Sequence, residues 1–201
     1  MKTLDTSKNF MASAIVCMIL LFMTVTLDAQ VTFTHNFEIA TEFPTYANTA
    51  AWGDIDNDGD LDAYVVIGAK MGHDIMLNDL AESGIFTRVD TTMAHRAKTA
   101  GPRSGLLADI ENDGDLDIVT VGQDDQIWLI LNKLAETDSL WFEDVSEATG
   151  VAHLGEAYYF ASMADYDNDG KLDILVTGLS SDGWYPTLLF RNTTEEGGPV
   201  S

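Results

Sequence analysis

The sequence contains very little cysteine and few basic residues, and both shortages limit what the protein can be. Its 201 residues include one cysteine, Cys17, so no disulfide is available within the chain. Ten lysines and arginines stand against 33 aspartates and glutamates, and the formal net charge is −23. Nucleic acids select basic surfaces, so we expect no nucleic-acid partner.

Familiar catalytic motifs are also missing from the sequence. There is no G-x-S-x-G elbow, no phosphate-binding loop and no H-E-x-x-H pair. The four histidines have no paired spacing; they are His35, His73, His95 and His153. We therefore predict that the protein is not an enzyme.

The N-terminal segment, residues 1–29, is predicted to be a secretory signal peptide. Lys2 and Lys8 precede an apolar run that extends from Phe10 to about Leu27. Because this run is long, an uncleaved signal anchor is one alternative, and a lipoprotein attached through Cys17 is another. We expect secretion to the extracellular space or cell surface, or export to the periplasm, with no membrane contact after cleavage. The mature chain would then contain no cysteine, which leaves bound metal as the candidate cross-link.

An acidic motif of nine residues occurs three times, at 54–62, 109–117 and 165–173. In each copy an aspartate or glutamate occupies the first, third, fifth and ninth positions, and glycine occupies the sixth. Carboxylates this close repel one another, and a bound cation would remove the repulsion. Calcium accepts roughly six to eight oxygen ligands, both carboxylates and backbone carbonyls. We therefore predict about three bound calcium ions, one for each loop.

The seventh position indicates how each loop would coordinate its ion. Lys171 occupies this position in the third copy, where the other copies have Asp60 and Asp115. A lysine can coordinate through its carbonyl oxygen, so we predict carbonyl coordination here. Glu111, one methylene longer than its counterparts, predicts a distorted middle site. The predicted metal-binding residues are Asp54, Asp56, Asp58, Asp60, Asp62, Asp109, Glu111, Asp113, Asp115, Asp117, Asp165, Asp167, Asp169, Lys171 and Asp173.

The motif has two other interpretations, a turn without metal and an EF-hand. Aspartate, asparagine and glycine favour turns that need no metal, although three copies with one spacing make this less favoured. An EF-hand needs a bidentate glutamate at the twelfth position. That position holds Val65, Thr120 and Val176, so the EF-hand is excluded.

The residues around each loop predict a repeat of about four strands. The first aspartates of the three loops lie 55 and 56 residues apart, a period typical of repeat architectures. A strand leads into each loop, and the β-branched runs LDAYVVIG, LDIVTVG and LDILVTG follow as buried strands. Third strands are predicted to end at Asn78, Asn132 and Asn192. Fourth strands are predicted at 85–90 and 141–146, and the third repeat has none.

This pattern resembles the FG-GAP/VCBS repeats of integrin α-chain propellers and of many secreted bacterial proteins. The resemblance rests on the D-x-[DE]-x-D-G-x-x-D loop with its following hydrophobic strand, and it extends over nearly all of residues 30–201. The literal Phe-Gly and Gly-Ala-Pro signatures are absent, so the integrin branch is the poorer match. The resemblance implies an all-β fold of β-propeller blades, at about residues 41–95, 96–152 and 153–201. It also implies loops that bind calcium and blades that form interaction surfaces.

Three blades are fewer than the roughly four to eight of typical propellers. We therefore expect an open arc with an apolar face at each end, or a fragment of a propeller with roughly six to eight blades. Residues 31–40 resemble the fourth strands, with Phe33 in the role of Phe86 and Phe142. In a head-to-tail ring of two copies, this segment would complete the third blade of the other copy.

The expected function is that of a calcium-stabilised extracellular module that binds an unidentified protein or glycan, as in adhesion. The runner-up is part of a calcium-dependent, propeller-fold polysaccharide lyase or hydrolase. A local basic patch is a candidate contact, although a solvated loop that balances the acidic surface is the simpler interpretation; its residues are Arg88, Arg96, Lys98 and Arg103. Several aromatic residues either stack on sugars or, more commonly, pack between blades; they are Trp52, Trp128, Trp141, Trp184, Tyr158 and Tyr159.

Overall fold

The computed structural model of the chain describes residues 33–34, 43–44, 46–67, 72–89, 102–122, 127–152, 157–179 and 187–194. The predicted signal peptide, most of the 31–40 segment, Arg96, Lys98 and Trp184 lie outside these described residues. The chain divides into two compact units, Met1–His35 and Asn36–Ser201, and every described strand belongs to the second. Within the described ranges, no helix is both long and apolar enough to cross a membrane.

The described part of the chain is all-β and contains three antiparallel sheets. The first sheet consists of β1 (Ala47–Gly53), β2 (Asp62–Ile67), β3 (Gly72–Asp79) and β4 (Ile85–Val89). The second consists of β5 (Pro102–Ala108), β6 (Asp117–Gly122), β7 (Ile127–Asn132) and β8 (Phe142–Asp144). The third consists of β9 (Ala157–Ala164), β10 (Asp173–Leu179) and β11 (Thr187–Phe190). A short helix, α1 (Leu134–Thr137), connects β7 to β8.

This architecture confirms the predicted all-β fold and its repeat. Strands follow one another in chain order across each sheet, so consecutive strands of a sheet are antiparallel neighbours. Each acidic loop joins the first strand of a sheet to the second, and fourth strands are present in the first two sheets. The third sheet has three strands among the described residues, as predicted. Sheets of this kind are consistent with propeller blades or with a fragment of a propeller.

Two apolar layers hold the three sheets together. The first layer brings together Tyr64, Val66 and Ile75 of the first sheet with Ile118, Trp128 and Ile130 of the second. The second layer brings together Val119, Val121 and Leu129 of the second sheet with Tyr158, Ile174 and Val176 of the third. The middle strand β6 is therefore buried on both faces. This burial explains why the apolar residues Ile118 and Val119 follow one another directly and do not alternate with exposed polar residues.

The outer faces of the first and third sheets differ from each other. The third sheet exposes apolar side chains there, which are Phe160, Leu175 and Leu189. On the first sheet, Val65 and Met76 are buried, and Phe43 packs against their cluster. An apolar outer face was expected at both ends. Within the described residues it is exposed at several positions on the third sheet, whereas on the first sheet it is mostly covered but exposes Trp52, which contacts Phe43 and Phe86.

A close contact between the first two sheets requires glycine at position 105 in β5. A Cβ atom at Gly105 would overlap the ring of Tyr64 and would lie 2.8 Å from Cγ2 of Val66. Both of these side chains are fully buried, so neither has free space into which it can move. The absence of a side chain at Gly105 therefore sets how closely β5 approaches β2.

We predict that Gly105→Ala lowers the free energy of unfolding by about 1–3 kcal/mol, because the added methyl group overpacks the layer around Tyr64. Chemical denaturation at constant calcium concentration measures the change. The matched control is Ser162→Ala, at an exposed position of β9, which should leave the stability unchanged. A Gly105→Ala protein as stable as the control would contradict the assigned contact.

Candidate metal sites in the aspartate-rich loops

The three acidic segments, called here loop 1 (54–62), loop 2 (109–117) and loop 3 (165–173), share one backbone conformation. Their fourth residues have φ angles of 59°, 57° and 60°, and these residues are Asn57, Asn112 and Asn168. Their sixth residues have φ angles of 100°, 99° and 88°, and these residues are Gly59, Gly114 and Gly170. Asparagine and glycine tolerate positive φ better than other residues. The positive φ of the fourth residue was not predicted from the sequence, although asparagine occupies this position in all three copies.

The ninth-position aspartate of each loop is buried, and its carboxylate binds two separate backbone segments. Oδ2 of Asp117 accepts a hydrogen bond from the Ile110 N–H at 2.8 Å, and Oδ1 accepts one from the Asn132 N–H at 2.9 Å. Asp62 and Asp173 accept the same pair of bonds in their own repeats, at 2.8–3.1 Å. This predicted metal ligand therefore also ties the start of its loop to the end of the third strand.

Asparagine side chains at the ends of the third strands connect neighbouring repeats. Asn132 donates through Nδ2 to the carbonyl oxygen of Ile55 in loop 1, at 2.8 Å. Asn192 donates in the same way to the carbonyl oxygen of Ile110 in loop 2, at 3.2 Å. Consecutive loops therefore lie next to one another at one edge of the stacked sheets. From the sequence these asparagines were predicted only as strand ends, because the carbonyl groups they bind are distant in the chain.

Loop 1 contains carboxylate oxygens that lack an internal partner. Asp54, Asp56 and Asp58 each offer one oxygen to a group whose members lie within 4.8 Å of one another. Oδ1 of Asp54, of Asp56 and of Asp60 is buried and has no hydrogen-bond donor. A buried polar atom without a partner is costly, and a cation would supply the missing partner. The residues of loop 1 therefore fit calcium, which prefers an all-oxygen environment.

Loop 2 gathers a different set of acidic groups. Glu111 and Asp113 form a group within 4.8 Å together with Glu136 of α1, and Asp109 does not belong to it. The Lys133 ammonium lies 2.6 Å from Oε1 of Glu111 and 2.7 Å from Oε1 of Glu136. The longer side chain of Glu111 thus reaches Lys133 and Glu136. The contacts of Glu111 with Lys133 and Glu136 were not predicted from the sequence, because α1 was not predicted.

The seventh residue of loop 2, Asp115, contributes its carboxylate to contacts with neighbouring segments. Its Oδ1 accepts a hydrogen bond from Nδ2 of Asn57 in loop 1 at 2.7 Å, and its Oδ2 accepts one from the Ala135 N–H at 2.5 Å. These bonds direct the side chain toward loop 1 and α1. Coordination through the carbonyl oxygen at this position stays a prediction, and the same holds for Asp60 and Lys171.

Loop 3 combines a converging acidic group with a basic neighbour. One oxygen each from Asp165, Asp167 and Asp173 lies within 4.8 Å of the others. The guanidinium of Arg191 contacts Oδ2 of Asp167 through Nε at 2.7 Å and Oδ2 of Asp169 through Nη2 at 3.1 Å. The side chain of Arg191 is 52% exposed, so this cation remains largely in solvent. Loop 3 thus resembles loop 1 in its converging first and third residues and resembles loop 2 in its basic neighbour.

Burial and mutual repulsion raise the pKa of carboxyl groups in these loops. The pKa of Asp56 rises from 3.8 to about 6, chiefly because burial removes water, and also because Asp62 and Asp58 repel its charge. Burial likewise raises the pKa of Asp117 to about 7, although its two backbone hydrogen bonds oppose the change. The carboxyl groups of Asp56 and Asp117 are therefore harder to ionise in the fold than in water, and a bound cation would reverse that effect.

These pKa shifts predict how stability depends on pH when calcium is chelated. The folded protein holds more protons on Asp56 and Asp117 than the unfolded chain between about pH 4 and 7, so the free energy of unfolding should fall as the pH rises through this window. Urea denaturation at several pH values in excess chelator measures the slope. Asp117→Asn removes one of the two groups and should reduce the slope. A slope that the substitution leaves unchanged would contradict the assignment.

Two residues of the predicted basic patch are described, and both contact other side chains. The guanidinium of Arg88 lies 2.5 Å from Oδ1 of Asp74, a buried carboxylate. Arg103 lies over the ring of Tyr159, 5.3 Å from its centroid. A patch that binds a partner stays a prediction. Among the candidate aromatic residues, Trp128 and Tyr158 belong to the core layers, whereas Trp52 and Trp141 are 57% and 43% exposed.

The fold and its loops define a class of protein, namely a repeat of small antiparallel sheets with an aspartate-rich loop between the first and second strands. Residues 109–176 match the family model of the FG-GAP-like repeat. The match begins at the first aspartate of loop 2, contains loop 3 and ends in β10. The chain therefore contains an FG-GAP-like repeat, which confirms the resemblance predicted from its motifs. No curated protein matches the sequence.

Proposed function

We propose that this protein is a calcium-binding module that acts outside the cytoplasm and binds a protein or a glycan there. The observation that carries the calcium proposal is the set of buried oxygens without a donor in loop 1. The carboxylates of Asp54, Asp56, Asp58 and Asp62 and the carbonyl oxygen of Asp60 would hold the ion. The ion itself would neutralise their charge and cross-link the loop.

Calcium would act on stability because only the folded chain brings the ligands together. Binding to the folded state alone adds to the free energy of unfolding, by about 2.7 kcal/mol for one site at a hundredfold excess over the dissociation constant. The chain has one cysteine and so no internal disulfide, which makes this contribution important for an exported protein.

We predict that excess chelator lowers the melting temperature and that added calcium restores it more effectively than magnesium does. Calcium accepts the irregular oxygen geometry of such loops, whereas magnesium demands a near-ideal octahedron and dehydrates reluctantly. Differential scanning calorimetry of the same sample in chelator, calcium and magnesium tests this. Identical melting curves in chelator and in calcium would refute the proposal.

A pair of substitutions tests which atoms coordinate. Asp56→Ala should weaken calcium binding by loop 1 more than Lys171→Ala weakens binding by loop 3, because Asp56 offers a carboxylate and Lys171 only its carbonyl oxygen. Isothermal titration calorimetry of the two variants measures both effects. If Lys171→Ala loses as much affinity as Asp56→Ala, the seventh position has been misassigned.

The proposed location and partner class rest on different features. The basic residues and apolar run at the N-terminus favour export, and the strong negative charge suits a soluble exported protein that does not bind nucleic acid. Exposed Trp52 and Trp141 offer apolar contact area for a protein or a glycan. A binding role, not a catalytic one, is proposed because no catalytic motif accompanies the loops.

A further inference from the structure

We propose that Lys133 serves as a built-in cation for loop 2, so that a metal ion occupies loop 1 but not loop 2 of the same chain. This inference rests on the proposed calcium binding and changes its expected stoichiometry. It departs from the prediction of one ion for each loop. The three copies of the motif look equivalent in sequence, and the difference between them comes from residues outside the motif.

The position of Lys133 is determined by its neighbours. The backbone and the side chain of the preceding residue, Asn132, are both fixed by hydrogen bonds. Its N–H donates to the carboxylate of Asp117, and its Nδ2 donates to the carbonyl oxygen of Ile55. The backbone N–H of Lys133 donates to the carbonyl oxygen of Trp141 at 2.7 Å. The ammonium group is therefore presented to loop 2 by a rigid backbone, with its side chain 15% exposed.

The carboxylates of loops 1 and 2 differ in whether a donor or a basic side chain contacts their oxygens. In loop 1, three buried carboxylate oxygens have no donor. In loop 2, the described carboxylates include no buried oxygen of this kind. Glu111, which corresponds to Asp56, is paired with Lys133 at 2.6 Å, and both side chains are 15% exposed. The carboxylates of loop 2 thus already have a positively charged partner in Lys133, whereas the buried oxygens of loop 1 have none among the described residues.

The residue that corresponds to Lys133 in the first repeat has the opposite charge. Asp79 follows Asn78 there, as Lys133 follows Asn132. No described basic side chain forms an ion pair with loop 1. In the third repeat Arg191 precedes Asn192 and is half exposed, so it can move into solvent when an ion binds. Lys133 differs from Arg191 because its ion pair is mostly buried.

Two physical effects disfavour a metal ion in loop 2. A calcium ion close to Glu111 would be repelled by the ammonium of Lys133 at short range. The tethered ammonium also has an advantage over an ion from solution, since its high effective concentration requires no loss of translational freedom. To bind calcium, loop 2 must first separate Glu111 from Lys133 without breaking the contacts of Asn132.

The test counts calcium equivalents bound by the full chain, using equilibrium dialysis against calcium after complete chelation. Lys133→Met removes the ammonium and keeps the aliphatic side chain, so this variant should bind one calcium ion more than the unsubstituted protein. The matched control is Lys133→Arg, which keeps a positive charge beside Glu111. The control should bind the same number of ions as the unsubstituted protein.

The inference is tested by the difference in bound calcium between Lys133→Met and the unsubstituted chain. The proposed function is tested by the calcium bound by the unsubstituted chain alone. If the variant gains one equivalent, Lys133 has been replacing a metal ion. If it gains none, the inference is wrong, whatever number the unsubstituted chain binds. An unsubstituted chain that binds no calcium refutes the proposed function instead, and a gain by the variant would still support the role of Lys133.

A second comparison does not require Lys133→Met to fold. Asp58→Asn and Asp113→Asn remove the fifth-position carboxylate from loops 1 and 2. Asp58→Asn should lower the number of bound ions by one or weaken one site at least tenfold, whereas Asp113→Asn should leave the count and the affinities unchanged. Loss of one equivalent in Asp113→Asn would show that loop 2 holds a metal ion despite Lys133, and would overturn the inference.

Discussion

Each repeat depends on the hydrogen bonds accepted by the buried ninth-position aspartate of its loop. Its two oxygens accept hydrogen bonds from the second residue of the loop and from the asparagine that ends the third strand. One side chain thus joins the loop, the second strand and the third strand, and the same asparagines in the second and third repeats extend this network to the preceding loop. A buried acceptor left without donors is costly, so the position tolerates little change.

Clustered carboxylates are stabilised by nearby cations, and the three loops differ in whether the chain itself supplies one. Loop 1 presents buried oxygens without donors, and a metal ion is proposed to compensate their charge. Loops 2 and 3 meet basic side chains of the chain itself, Lys133 and Arg191. The loops share a backbone conformation. Repetition of a motif therefore preserves the backbone geometry while the charge environment diverges.

The sheets depend on a second constraint, the packing of apolar faces. Each sheet has two faces, and the middle sheet buries both, between the layers around Trp128 and around Leu129. Gly105 allows β5 to approach Tyr64 closely, so the distance between sheets is set by steric contact as well as by the hydrophobic effect. The third sheet leaves an apolar outer face exposed at Leu175 and Leu189. Exposed apolar area of this kind marks a surface available for contact.

The sequence by itself determined the all-β class, the repeat and the position of each acidic loop, because strand periodicity and turn chemistry are local properties. The longer side chain of Glu111 also predicted that the middle loop would differ from the other two. The sequence did not reveal that Lys133 and Glu136 would meet Glu111, because residues more than 20 positions apart become neighbours only when strands pair. The asparagine contacts between repeats span more than 70 residues. Tertiary structure alone decided which carboxylates find a partner within the chain and which buried carboxylate oxygens lack one, since the partners of a charge are set by packing and not by the motif.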